Sequence, residues 1–207
     1  MSRQNVIQAP PPAGLDLADF PVLSSRDPVY RAHSRGIGPW HFSNSGEGRF
    51  DLAGERGTCY LANTVGAAVR ERLGEQFAAR RIAAPEDAEK MVVSRLELPR
   101  RLRAADLESP GVGGYPITAE LTSMSDYSVP QAWARAFDDA GFGGVHYRGR
   151  FSYFDATSWA VFGPAGPDDR RPVDSNPIDG FDACEEGGLT VLPAPPTDLV
   201  GLTVVHH

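Results

Sequence analysis

Residues 48–73 read GRFDLAGERGTCYLANTVGAAVRERL. Arg49 and Phe50 lead into a turn. The run Thr58 to Ala62 (TCYLA) is rich in residues that favour a pleated surface and predicts a strand. Directly after it, Val65, Val69, Leu73 and Phe77 recur every four residues. That spacing predicts a helix over Thr64–Arg80 with one apolar stripe. Glu71 lies two residues from Val69, about 200° round the helix at ~100° per residue, so it points away from the stripe. Its neighbours there are Ala67, Gly74 and Ala78, all small. On the pattern alone Glu71 reads as a solvated carboxylate beside Arg70, Arg72 and Glu75. A line of small residues also lets another element, or a ligand, approach the backbone.

Outward from this stretch, short strand-like runs alternate with few helices. Strands are predicted at Pro28–Ala32, Met91–Leu98, Gly144–Tyr147 and Ser158–Phe162, with Pro99 stopping the second of these. A second helix fits Val129–Ala140, capped by Ser128, with Pro130 in its first turn and Gly141 as its stop. Trp133, Ala136 and Phe137 mark its buried side. No regular βαβ rhythm is present, so the fold class is α+β and not a doubly wound sheet. Residues 1–20, which contain the PPPAG tract, read as a flexible lead-in to a domain over 21–163. Residues 164–207 read as an irregular Gly/Pro/Asp-rich extension with edge strands near its end. That extension is left to cover a site, pair two subunits in a homodimer or dock a partner.

Composition narrows the function. The chain has 207 residues with 41% hydrophobic content, enough for a sizeable core. The net charge of −7 argues against nucleic-acid binding driven by phosphate neutralisation. No apolar run approaches the ~20 residues of a membrane span, and the start lacks an apolar signal region, so a cytoplasmic protein is expected. Cys59 and Cys184 are far apart, with no CxxC or Cys/His cluster, and no metal site is expected.

Several polar residues need a reason. Arg31 follows Tyr30 in an apolar strand, and Arg49 precedes Phe50. An unpaired buried charge is costly, so each pairs with a carboxylate such as Glu71 or Asp51, or faces an anionic ligand. Both readings stand on the residues alone. Tyr60 is either core or an aromatic that stacks on a flat ring and donates its hydroxyl. GxGxxG, GxxxxGK[ST] and GxSxG are absent, and His33, His41 and His146 are scattered.

Taken in order, VYRA (Val29–Ala32), FSNSGEGRFD (Phe42–Asp51), GTCYLANTVGAAVRERL (Gly57–Leu73), QAWARAFDDAGFGGVHYRGR (Gln131–Arg150) and WAVFG (Trp159–Gly163) resemble the RES domain family, the toxins of RES–Xre toxin–antitoxin pairs. The resemblance runs from about Pro28 to Gly163. It implies an ADP-ribosyltransferase-like mixed or split β-sheet with a few flanking helices. It implies action on NAD as substrate, with no separate cofactor: hydrolysis, phosphorolysis with phosphate as co-substrate, or ADP-ribose transfer to a protein. A non-catalytic NAD-binding module is the remaining alternative. Matching the motifs gives catalytic roles to Arg31, Tyr60 and Glu71 and substrate-binding roles to Arg49 and Arg150. It also makes an Xre-type antitoxin an expected partner. In one place the chain departs from the pattern: Gly149 stands where the family carries a serine, and Ser128 or Ser152 is the substitute to look for.

Overall fold

The computed structural model describes residues 8–74, 81–151, 155–169 and 171–192. The chain forms β1 (Val22–Leu23), β2 (Pro28–Ser34), β3 (His41–Phe42), β4 (Arg56–Ala62) and α1 (Val65–Leu73). It continues with β5 (Ile82–Ala83), α2 (Pro85–Lys90), β6 (Met91–Glu97) and β7 (Ala104–Asp106). After two short 3-10 turns come α3 (Ser128–Asp139), β8 (Gly144–Tyr147), β9 (Ser158–Pro164) and β10 (Gly166–Pro167). β11 (Ile178–Asp179), α4 (Gly180–Glu186) and β12 (Thr190–Val191) follow. The central strands and both helix starts fall within two residues of their sequence expectations. Residues 75–80, where helix was also expected, lie outside the described residues, as does the second of the two expected edge strands, after Leu192; the first forms β12, which pairs with β5.

Eight strands make one mixed sheet in the order β1-β7-β8-β9-β4-β2-β6-β11. Only β7 and β8 run parallel; the other neighbours are antiparallel. The α+β class is therefore borne out. β9 is buried on both faces, which is why SWAVF reads as a continuous apolar run. Ala160 and Phe162 face a core shared with Phe50, Trp133, Phe137 and Tyr147. Trp159 and Val161, on the opposite pleat, face Trp40, Phe42 and Leu61. A further cluster packs α1, through Val65 and Val69, against Met91, Val93, Ala183 and Cys184.

The expected boundaries need correcting at both ends. Leu17 and Phe20 are buried in the core, and Trp133 Nε1 donates to the Ala9 carbonyl at 2.9 Å. The lead-in is thus anchored at Gln8, Leu17 and Phe20, with most of the residues from 9 to 16 exposed; its polar and proline-rich composition hid two apolar anchors. The expected break after Gly163 cuts through β9, and β11 pairs with β6 inside the main sheet. Asp179 caps α4 by accepting the Phe181 amide at 3.0 Å, and Gly180 lets that helix press onto α2. A Cβ on Gly180 would lie 2.0 Å from the Ala88 carbonyl oxygen. Residues 164–192 are integral to the domain.

Candidate active site

A cavity of about 490 Å³ opens between β2, β4, α1 and the turn over residues 47–49. That volume falls within the range of small-molecule sites. β2 contributes Arg31 and Tyr30, β4 contributes Tyr60, and the turn contributes Arg49. Glu71 and Arg72 reach in from α1, with Ala68 and Gly74 beside them. The small residues next to Glu71 therefore serve as room, although Ala67, expected there, is buried in the core instead.

Local sequence explains how Glu71 gets there. Thr64 caps α1 by accepting the Ala67 amide at 3.1 Å, so the helix starts at the end of β4 with fixed phase. Val65 and Val69 go down into the core and Glu71 turns to the opening. The Phe151 amide donates to Glu71 Oε1 at 3.4 Å.

The arginines are held by backbone as well as facing the cavity. Arg31 Nη1 donates to the carbonyls of Pro39 and His41, at 2.5 and 2.9 Å. Arg49 is buried, donates to the Met124 carbonyl, and lies 4.8 Å from the ring centroid of Tyr127. Fixing a guanidinium this way removes much of the entropy cost of holding it for an anion. Arg72, which the sequence pattern did not single out, donates to Ser34 Oγ at 2.9 Å. Burial, then the neighbouring Arg31 charge, lowers its pKa. Like charges set side by side favour an anion between them.

Tyr60 behaves differently from its expectation. Its ring lines the cavity, but its hydroxyl is committed elsewhere: it donates to Asp51 Oδ1 at 2.8 Å and accepts from the Phe50 amide at 2.9 Å. Burial, then the Asp51 charge, raises its pKa well above the ordinary tyrosine value. The ring, and not the hydroxyl proton, is what Tyr60 offers a ligand. Asp51 is likewise no partner for Arg31: its Oδ2 accepts the amides of Gly46 and Gly48, at 3.1 and 3.0 Å. Gly48 is required here, since a Cβ would sit 2.3 Å from Asp51 Oδ1 and 2.4 Å from the Tyr60 hydroxyl.

The remaining expectations divide. Arg150 lines the cavity and also an adjoining hollow, where Gly149 and Arg148 sit. Ser128 is exposed and outside the cavity; it is the first residue of α3, and its amide is taken by Asp126 Oδ1 at 2.9 Å. The N-cap position is taken by Tyr127 with no side-chain cap, so the expected Ser128 cap is not formed. Ser152 lies outside the described residues. Sequence reasoning missed Tyr127, Tyr147 and Ser158, all in the cavity wall. Among the described residues no group of His, Cys, Asp or Glu is placed to hold a metal ion, and no helix is long and apolar enough to cross a membrane.

The site therefore joins fixed cations, aromatic faces and the carboxylates of Glu71 and Glu47, a set suited to an anionic ligand that carries flat rings. No curated protein matches the chain. Among solved structures, a chain of the M. tuberculosis MbcT–MbcA toxin–antitoxin complex is similar in fold. The TM-score is 0.58 at 14% identity, over 81% of this chain and 92% of that one. The family described as the RES domain matches residues 28–179, which take in β2, the turn, β4, α1, β8, β9 and the pairing strand β11. The chain belongs to the RES domain family.

Proposed function

We propose that the chain is a toxin that consumes NAD by cleaving the bond between nicotinamide and ribose. The observation that carries this reading is the position of Glu71: an α1 carboxylate in a cavity whose wall also holds Arg31, Arg49, Arg72 and tyrosine rings, with Glu47 on the turn. The arginines hold the pyrophosphate, and the Tyr60 ring stacks on the nicotinamide. The electron pair of the breaking bond leaves with nicotinamide, which becomes neutral and needs no acid. Positive charge then develops on the ribose, and the Glu71 carboxylate stabilises it. Water or phosphate forms the new bond to the ribose carbon and gives up its proton. Family membership supports this reading. The similar fold seen in a toxin–antitoxin complex supports a proteinaceous antitoxin as partner.

An NMR time course of NAD with the protein, with and without phosphate, tests the function. Nicotinamide release is expected, with ADP-ribose as product in water or its 1″-phosphate when phosphate is present. ADP-ribose found on a protein instead would make the chain a transferase. NAD left intact at stoichiometric protein would overturn the reading.

A further inference from the structure

Arg31 sits where the main sheet opens. β2 keeps register with β6 along its whole length but meets β4 only at Tyr30 and Ala62, next to Arg31. The extended segment Pro39–His41 supplies what β4 does not. In extended backbone, alternate carbonyls point to opposite edges. Pro39 and His41 turn theirs to Arg31 Nη1, at 2.5 and 2.9 Å. Trp40, between them, turns its carbonyl the other way, to the Asp168 amide at 2.8 Å. Cys59 Sγ of β4 accepts from the same Arg31 nitrogen at 2.8 Å. Among the described residues every hydrogen bond of Arg31 leaves from Nη1, so Nε and Nη2 remain for the oxygens of a ligand.

The far edge of that segment is gripped by β10 and by Asp168, Arg171 and Pro172, in the tract whose composition reads as irregular. Gly166 and Pro167 pair with Phe42 and His41 of β3. Trp40 Nε1 donates to the Pro172 carbonyl at 2.9 Å. The Arg171 guanidinium lies over the Trp40 ring, 4.7 Å from its centroid, and over the Phe42 ring at 5.2 Å. Arg171 Nε donates to Asp168 Oδ2 at 3.0 Å, which holds the cation in that place. Both side chains of this ion pair lie mostly out of water, so its attraction and the cation–π contacts are only weakly screened.

We propose that Arg171 and Trp40 are positioning residues for Arg31. The Arg171 clamp fixes Trp40, Trp40 fixes the carbonyls on either side of it, and those carbonyls aim the Arg31 guanidinium. Arg31 lines the cavity and meets the ligand; Arg171 is not part of the cavity wall. A guanidinium fixed before its anion arrives loses less rotamer freedom on binding, so the clamp raises affinity without touching the ligand. Arg49 is held separately, by the Met124 carbonyl, and provides an internal comparison. The inference rests on the NAD reading for the identity of the anion, but not for the clamp itself.

The test compares wild type with Arg171→Gln, which removes the charge over the two rings. Guanidinium hydrogen exchange of Arg31 and Arg49 is read by ¹⁵N NMR, and the Kd for ADP-ribose by calorimetry. Exchange at Arg31 is expected to speed up about tenfold, with Arg49 unchanged. The Kd for ADP-ribose should rise about fivefold, because the guanidinium must now be ordered on binding. In an Arg31→Ala background the same substitution should change Kd by less than about twofold, since the clamp acts through Arg31. Should Arg171→Gln fail to fold, Asp168→Asn, which only weakens the clamp, carries the test. Unchanged exchange at Arg31 in a folded variant overturns the proposal. So does equal acceleration at Arg49, or a full rise in Kd without Arg31, since either marks general loosening. Faster exchange at Arg31 alone, in a protein that neither binds ADP-ribose nor releases nicotinamide from NAD, upholds the clamp and overturns the proposed function.

Discussion

Tyr60 donates its hydroxyl proton to Asp51 Oδ1 across 2.8 Å, while the Phe50 amide donates to the same phenol oxygen at 2.9 Å. This pair ties the strand that walls the cavity to the turn that carries Arg49. It also makes the fold sensitive to alkaline pH. Burial raises the pKa of Tyr60, and of Tyr147, above the unfolded value of about 10. Below that pH both states keep their protons, and the full stability is present. Above it the unfolded chain loses them first, so stability falls by about 1.4 kcal/mol per pH unit for each tyrosine. Urea unfolding from about pH 8 to 11 is expected to show this fall, with a shallower slope in Tyr60→Phe. Equal slopes in both proteins would contradict it.

Gly48→Ala places a methyl group against both atoms of that hydrogen bond. The turn has to move, so a loss of about 1–3 kcal/mol is expected by denaturant unfolding. Activity should fall further than stability accounts for, because Arg49 moves with the turn. A variant as stable and as active as wild type would show that the turn is looser than its contacts indicate.

Arg72 and Ser128 make a contrasting pair. Arg72→Ala removes a cavity cation and is expected to raise KM for NAD about tenfold, with kcat changed little, since ground-state anion binding is lost. Ser128→Ala, on the exposed start of α3, should leave both constants unchanged. Steady-state kinetics at fixed ionic strength separates them, and equal effects would show that the cavity wall is misassigned.

Gly180→Ala probes the chain beyond β9. Its methyl group would meet the Ala88 carbonyl at 2.0 Å, so α4 must lift from α2. A drop of several degrees in Tm is expected, from about 3 kcal/mol of overpacking. An unchanged Tm would mean that residues 164–192 contribute little to the domain.

Much of this was legible in the sequence where periodicity is strong. The four-residue spacing of Val65 and Val69 turned Glu71 away from the core, and the structure opens a cavity there. Arg31, Arg49 and Tyr60 entered through motif order, and all line the same wall. What stayed hidden depends on tertiary contact. The Tyr60 hydroxyl looked available because Asp51 sits nine positions away, across a turn whose path no local rule gives. Tyr147 and Ser158 meet only because β8 pairs with β9 in one register. Leu17 and Phe20 were masked by their proline-rich surroundings, and α4 is too short for a periodic signal. Arg72 was taken as a surface neighbour of Glu71, yet the helix turns both toward the opening.

The central claim is that Glu71 stabilises charge on the ribose of NAD. Glu71→Gln keeps the shape and an acceptor for the Phe151 amide but removes the charge. Nicotinamide release from NAD, measured at saturating substrate in wild type and Glu71→Gln, is predicted to fall by about 10²–10³. NAD binding and unfolding stability should be nearly unchanged. Turnover within a few-fold of wild type would contradict the account.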